Sequence, residues 1–188
     1  MLALYTVAGL TALCATWAVY THNVLVRARA KVQEAFSGID VQLKKRQDLV
    51  PNLVQTVSGY VRHERVSLTT VTEARTRAVA ASTPVQVDAA ESLLDGQLRG
   101  LLAAAERYPE LRASGNFAEL IAELADIETE IQAARGLYNQ NVEVLNSYAQ
   151  SFPANLVAGR MRDVEYPFLR FDGVWENTNR LIGEGFAA

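Results

Sequence analysis

The chain has very few of the side chains that build disulfides, metal centres or catalytic sites. Its 188 residues include 1 cysteine, Cys14, and 2 histidines, His22 and His63. One cysteine cannot close an intramolecular disulfide, and these three residues cannot form a structural zinc site by themselves. Neither histidine completes the Glu-x-x-His pairs of di-iron bundles, and the sequence shows no phosphate-binding glycine loop or nucleophile elbow. We therefore expect no cofactor, no metal, no catalytic residue and no enzymatic activity.

Helix-breaking residues and excess charge are also scarce. There are 11 glycines and 5 prolines, whereas alanine and leucine are abundant, and this balance favours an all-helical domain. The 18 basic and 21 acidic residues give a net charge of −3. Such a chain has no overall attraction to nucleic acid, so we expect no nucleic-acid partner.

The first segment is a long run without charge. No charged side chain precedes Arg27, and about 20 apolar residues suffice to cross a bilayer as a helix. The run predicts a transmembrane anchor over residues 1–22. A cleaved signal peptide is the alternative, but such peptides begin with a basic region, and helix-forming sequence continues past any cleavage point.

Aromatic and basic residues at the end of this run indicate its orientation. Amphipathic rings favour the headgroup level, and basic residues favour the cytoplasmic side. We expect the N-terminus outside, the remainder in the cytoplasm of a bacterium, and a single pass through the inner membrane. The predicted membrane-interface residues are Trp17, Tyr20, Arg27, Arg29 and Lys31.

After the anchor, apolar residues recur at spacings of three and four, which predicts a long helix extending to about Ser82. The apolar phase continues across Pro51, so we interpret this proline as a kink within one helix. It leaves the carbonyl of Gln47 without its usual donor, at a cost of about 3 kcal/mol unless water or a neighbouring side chain compensates. The alternative makes Asp48 an N-cap and places Pro51 in the first turn of a new helix.

Two further helices follow from their capping patterns. Thr83, with Pro84 next to it and Gln86 three residues on, matches a capping box for a helix that runs to about Arg107. Asn116 is the expected cap of a third helix, which ends before Pro153. The predicted fold class is all-α, with an N-terminal transmembrane helix continuing into a long antiparallel helical bundle. The bundle covers residues 23–170, and a flexible tail covers 171–188.

The expected helix lengths differ widely. The first helix would extend roughly 90 Å beyond the membrane, against about 35 Å and 50 Å for its partners. Either the chain folds back at Pro51, or copies of the chain cover the membrane-proximal apolar seam, because an exposed seam of this length requires a partner. We favour the second alternative and predict a homo-oligomer. The self-association seam is Val32, Phe36, Ile39 and Leu43.

Charged residues lie close to the apolar seams. Glu128 and Arg135, for example, are seven positions apart and share one helix face. They could form a binding site inside the bundle, but ion pairs that set helix register are the simpler interpretation. The proposed buried polar network comprises Arg46, Glu64, Arg75, Glu128 and Arg135.

Several strings of residues resemble the LemA family. They are DLVPNLV at 48–54, ARGLYNQNV at 134–142 and FPANLVA at 152–158, and the resemblance extends over about residues 22–170. It implies a bacterial single-pass membrane protein with a short outward N-terminus and a cytoplasmic antiparallel helical bundle. It implies no catalytic residue. Relatives associated with magnetosome membrane formation suggest a role in membrane organisation or remodelling.

Two classes of function fit these observations. The first is a non-enzymatic scaffold, anchored in the lipid bilayer, that assembles into homo-oligomers. The second is a membrane-tethered adaptor that recruits a membrane protein such as a protease or a signalling partner. A hydrolase or metalloenzyme is disfavoured because the sequence offers no catalytic constellation.

Overall fold

The computed structural model describes residues 1–60, 65–161 and 164–171, and their fold confirms the all-α prediction. No strand occurs within these ranges. Four helices are long and two are single turns. They are α1 (Leu2–Ser58), α2 (Arg65–Ala80), α3 (Pro84–Ala105), α4 (Pro109–Arg112), α5 (Gly115–Gln150) and α6 (Asn155–Ala158).

The first helix continues through its proline. α1 contains 57 residues, and Pro51 lies inside it, so this residue neither ends a helix nor opens a new one. The expected end near Ser82 is wrong, because α1 ends at Ser58, where serine and glycine are weak helix formers.

The chain reverses between α1 and α2, which pack against each other. Val57 of α1 and Val71 of α2 are both fully buried in the same core. Two antiparallel helices that face one core can keep a common apolar spacing across the turn between them. The unbroken phase was therefore compatible with a reversal, which sequence periodicity could not distinguish from a longer rod.

The cap of α3 agrees with the prediction from sequence. The Gln86 N–H donates to the Thr83 hydroxyl at 3.3 Å, and the Gln86 side-chain oxygen accepts from the Thr83 N–H at 3.3 Å. α3 packs on α2 and ends at Ala105, two residues before the expected Arg107.

α5 lies antiparallel along α1, as three contacts at successive levels show. The Asn116 amide donates to the Thr56 hydroxyl at 3.2 Å, Lys45 pairs with Glu130 at 3.0 Å, and the rings of Phe36 and Tyr138 have centroids 5.8 Å apart. With 36 residues, α5 is about 54 Å long. It therefore reaches the part of α1 that carries the predicted seam.

An extended segment, residues 164–171, completes this part of the bundle. The Tyr138 hydroxyl donates to the Pro167 carbonyl at 2.9 Å, and the amide of Asn139 donates to the Leu169 carbonyl at 2.9 Å. Leu169 and Phe171 are buried. Of the predicted tail, 171–188, only Phe171 belongs to the described residues.

The premise of an uncovered seam is wrong. Val32 and Ile39 have no exposed surface, Leu43 is 2% exposed, and Phe36 is half-buried. α5 and the extended segment of the same chain lie on this face, so it needs no second copy. The sequence argument failed because it extended the first helix to about Ser82, which left its partners too short to cover this face.

Candidate functional site

A fully buried arginine is the centre of the most concentrated group of charges. Arg46 projects from α1 and is bound by three carboxylates. Its guanidinium contacts Asp95 at 2.5 Å, Glu128 at 3.1 Å and Glu91. Glu91 and Asp95 belong to α3, whereas Glu128 belongs to α5. The arginine therefore joins three helices at one level of the bundle.

A second polar side chain of α1 extends this cluster. The Gln47 amide donates to Glu91 at 2.8 Å. Three buried atoms, Arg46 Nε, Asp95 Oδ2 and Glu128 Oε1, have no hydrogen-bond partner in the described part of the chain. We call Arg46, Gln47, Glu91, Asp95 and Glu128 the Arg46 cluster.

The cluster is buried and holds more acids than bases, and both features shift the pKa values of its members. Burial raises the pKa of Asp95 to about 7; Arg46 opposes this rise, and the charges of Glu128 and Glu91 add to it. Burial acts to lower the pKa of Arg46, but Asp95, Glu91 and Glu128 outweigh it and raise that pKa above its usual value. Near neutral pH, Asp95 is therefore poised between its charged and neutral forms.

The chemistry open to this cluster is limited by its burial. Arg46 and Asp95 have no exposed surface, and Glu91 and Glu128 are each 1% exposed. A substrate cannot reach these carboxylates without separating the helices. Buried polar groups with a single satisfactory arrangement can set the register of packed helices. Register setting is the role that this geometry supports.

The structure places the five residues of the predicted network differently. Arg46 and Glu128 lie together in the cluster. Arg75 takes no part in these ion pairs but binds the backbone carbonyl of Gln47, whereas Arg135 binds the Phe171 carbonyl, away from the cluster. Glu64 lies outside the described residues. The sequence reasoning grouped Arg75 and Arg135 with the network by their distance from the apolar seam, without knowing which groups they bind.

Glu91 and Asp95 were missed. They are four positions apart on α3, on the face that also carries the buried Leu94 and Leu98. The sequence did contain a signal for them, because both acidic residues interrupt the apolar stripe of a helix. A carboxylate buried in such a stripe needs a buried cation as its partner. That feature could have been matched with Arg46.

Arg75 compensates the proline in α1. Its Nε donates to the Gln47 carbonyl oxygen at 2.5 Å. An alanine at position 51 would use its own N–H for this oxygen, but a proline has none. The side chain of a neighbouring helix therefore supplies the missing donor. Arg75 also approaches the exposed carboxylate of Asp48, at 3.9 Å.

Arg135 instead holds the extended segment. Its guanidinium donates to the Phe171 carbonyl and lies over the Phe171 ring, with the guanidinium carbon 5.5 Å from the ring centroid. Asn146 exchanges two hydrogen bonds with the backbone of Tyr166, at 2.9 Å and 3.1 Å. Burial, with the nearby Tyr166, raises the pKa of Tyr138 to about 12, so its hydroxyl keeps its proton at neutral pH.

The first part of α1 has the properties of a membrane span. It includes an 18-residue window with a mean hydropathy of 1.7, none of it buried within the protein. Trp17 is half-buried, whereas Tyr20, Arg27 and Lys31 are exposed. Arg29 contacts the Tyr166 hydroxyl at 3.2 Å. The predicted interface residues thus lie where the bare helix meets the bundle.

No group of three or more His, Cys, Asp or Glu side chains in the described ranges is arranged to hold a metal ion. The three acids of the Arg46 cluster enclose a guanidinium instead.

Comparison with known proteins identifies the family. The LemA family model matches residues 35–179. The chain belongs to the LemA family. The protein named Protein LemA from Metamycoplasma hominis is 28% identical to this LemA-family chain over 143 residues, which is 74% of this chain and 64% of that protein. The chain thus covers less than two thirds of the length of this relative.

The family match contains both groups of contacts described above. Residues 35–179 include the Arg46 cluster and Arg75 with its carbonyl partner. They also include α5 and the extended segment that covers the seam. The match begins after the apolar part of α1. The candidate membrane span of this LemA-family chain therefore rests on its own length and composition.

Proposed function

We propose that this LemA-family chain is a non-enzymatic, single-pass membrane scaffold that organises or remodels the bacterial inner membrane. The observation that carries the proposal is the continuity of α1, which is one helix from Leu2 to Ser58. Its first part suits a bilayer, and its remaining part is the central helix of the bundle.

Continuity makes the bundle a rigid extension of the anchor. Thr21 and Leu25 are fully buried, so packing begins within a turn of the exposed, apolar part of α1. No flexible linker separates span from bundle, since both belong to the same helix. The tilt of the anchor therefore fixes the direction of the bundle, and this coupling is what a scaffold requires to impose shape on a membrane.

The orientation proposed from sequence is supported by the placement of the basic residues. Arg27 and Lys31 are exposed just beyond the apolar part of α1, where they can contact anionic headgroups. We propose that the bundle is cytoplasmic and that the N-terminus lies outside.

Self-association remains part of the proposal, but through a different surface. Val32, Ile39 and Leu43 are buried within one chain and cannot serve as the contact. Copies would meet through outward faces of the bundle, where for example Val41 and Leu137 are exposed.

The decisive experiment separates the anchor from the bundle without disturbing packing. Residues 2–16 are all exposed, so they can be deleted or replaced by an unrelated apolar helix with no loss of a packed side chain. We expect vesicles that contain the full chain to show deformed or ordered membranes by electron cryomicroscopy. The replaced chain should behave alike, and the deleted chain should leave vesicles unchanged. Undeformed vesicles with a strictly monomeric full chain, judged by cross-linking, would exclude the scaffold.

The adaptor is the second candidate, favoured by the internal burial of the seam. A bundle that is complete in one chain is free to present its surface to another protein. Glu123 and Asp126 on α5 lie on an exposed face with Asp48 of α1, and this face could contact a basic partner.

Charge reversal tests the adaptor. The changes Glu123→Lys and Asp126→Lys should abolish capture of a membrane protein after cross-linking in native membranes, while the melting temperature and self-association stay unchanged. Glu128 is unsuitable for such a test because it is buried against Arg46. Capture that persists after both changes would count against this surface.

A further inference from the structure

The base of the bundle carries exposed apolar side chains that the scaffold model does not use. Phe152 is 82% exposed and Leu156 is 57% exposed. They lie on the turn that follows α5 and on the single-turn helix α6, whereas Ala154 and Ala158 of the same turn are buried. The turn is therefore packed firmly on its inner side and presents two large apolar side chains outward.

The antiparallel register places this turn beside the membrane span. Thr56 meets Asn116, Arg46 meets Glu128, and Phe36 meets Tyr138. Each step of about ten residues toward the start of α1 thus corresponds to a step of about the same length toward the end of α5. The same steps bring the end of α5 to about residues 22–24 of α1, since the two helices have the same rise per residue. α6 comes next and packs on both helices.

Burial along α1 gives the same level independently. Residues 2–16 are exposed, Trp17 and Ala18 are half-buried, and Thr21 is fully buried. The cover that begins at Trp17 is the lowest part of the bundle. Trp17 and Tyr20 are also the aromatic residues expected at headgroup depth.

We propose that the turn at Phe152 and Leu156 inserts into the headgroup and outer acyl region of the bilayer, as a second membrane contact beside the anchor. The occupant is lipid because α6 packs on α1 and the turn lies at the level of its exposed apolar part, where Val19 and Tyr20 are 62% and 65% exposed. The inference rests on the proposed membrane tether and deepens it.

The charges around the turn suit this depth. Arg160 is exposed one turn beyond Leu156, and its guanidinium donates to the Leu156 carbonyl at 3.2 Å. Arg27 is exposed on α1 beyond the same level. In this arrangement the apolar side chains would contact the acyl chains, and the cations would contact the phosphates of the same leaflet. A wedge placed beside the span would widen one leaflet and fix the tilt of the bundle.

Fluorescence quenching by labelled lipids tests this depth in the full chain. Cys14→Ser removes the native thiol, and Leu156→Cys or Phe152→Cys then carries an environment-sensitive fluorophore in vesicles of phosphatidylcholine and phosphatidylglycerol. We expect blue-shifted emission and quenching that is stronger for quenchers near the headgroup than for quenchers near the acyl end. Val41→Cys is the matched control, since Val41 is 56% exposed and about 30 Å further along α1 than Thr21. It should remain unquenched.

Leu10→Cys separates the failure of the wedge from the failure of the tether. Leu10 is 63% exposed within the apolar part of α1 and should be quenched most by quenchers near the acyl end. Quenching at Leu10 without quenching at Leu156 and Phe152 would overturn the wedge and leave the tether standing. No quenching at any position would overturn both. A blue shift at Leu156 without lipid quenching would assign the turn to a contact between copies and would also overturn the proposal.

Discussion

Arg75 should contribute to the stability of the bundle because residue 51 is a proline. Its Nε contacts the Gln47 carbonyl at 2.5 Å, which is the oxygen that an N–H at position 51 would otherwise bind. The perturbation is a double-mutant cycle of Arg75→Met and Pro51→Ala. Methionine keeps much of the length and apolar surface of arginine but removes the donor.

The magnitude follows from the fate of one carbonyl. In the natural chain, Arg75→Met leaves the Gln47 oxygen unsatisfied, at a cost of about 1–3 kcal/mol. In the Pro51→Ala chain the restored N–H satisfies that oxygen, so the same change should cost less by about 1–2 kcal/mol. The 3.9 Å contact between Arg75 and Asp48 is lost in both backgrounds and cancels in the cycle. Pro51→Ala alone should stabilise the bundle, since a proline inside a helix is unfavourable.

Urea denaturation of the full chain in a non-denaturing detergent, followed by far-ultraviolet circular dichroism, gives the four free energies of unfolding. Arg77→Met is the matched control, because Arg77 is exposed on the same helix, and it should show no coupling to Pro51→Ala. Equal costs of Arg75→Met in the two backgrounds would refute the idea that this arginine replaces the donor missing at Pro51.

The same denaturation assay tests the remaining predictions. Arg46→Met should destabilise the bundle by about 3–5 kcal/mol because it leaves buried carboxylates without a cation. Lys45→Met, at an exposed ion pair, should cost no more than about 1 kcal/mol. Similar losses of stability for both variants would show that the buried cluster contributes no more than a surface ion pair. The pKa of Asp95 is raised in the folded state to about 7, so its contribution to stability is complete below about pH 4 and is lost as pH rises through 7, by up to about 1.4 kcal/mol per pH unit. Asp95→Asn should flatten this slope, and an unchanged pH profile would contradict the assignment. Thr83→Ala should cost about 1 kcal/mol through loss of the N-cap, and no change in the urea midpoint would contradict it.

Apolar spacing predicted which residues are buried better than it predicted their partners. Of the predicted seam, Val32, Ile39 and Leu43 are buried and Phe36 is half-buried. The spacing carries no information on chain direction, however. Two antiparallel helices such as α1 and α2 can therefore show the same apolar pattern as one continuous helix. Capping residues do carry direction, and the start of α3 at Thr83 was accordingly predicted from them.

The contacts that attach the extended segment to α5 were not predicted, for a different reason. Its attachment depends on backbone groups, such as the Leu169 carbonyl and the Tyr166 carbonyl, which accept from asparagines of α5. Backbone groups are present at every residue, so nothing in the segment's own composition marks it as a partner. The informative residues are Asn139 and Asn146, seven positions apart and hence on one face of α5. A pair of amides on a helix face is a weaker sequence feature than an apolar stripe.

Contacts between side chains hold one end of the bundle and contacts to a main chain hold the other, so the two ends should differ in their sensitivity to mutation. At the level of the Arg46 cluster, side chains of α1, α3 and α5 form ion pairs, and Arg75 adds α2 through the adjacent Gln47 carbonyl. A slip of one residue in any of these helices would leave a buried charge or carbonyl unpaired, so this level fixes the register of four helices. Nearer the apolar part of α1, Asn139 and Asn146 hold the main chain of the extended segment, which tolerates side-chain changes wherever the segment faces outward. Register is therefore determined at the level of the Arg46 cluster, and the end of the bundle beside the apolar part of α1 is freer to vary in sequence.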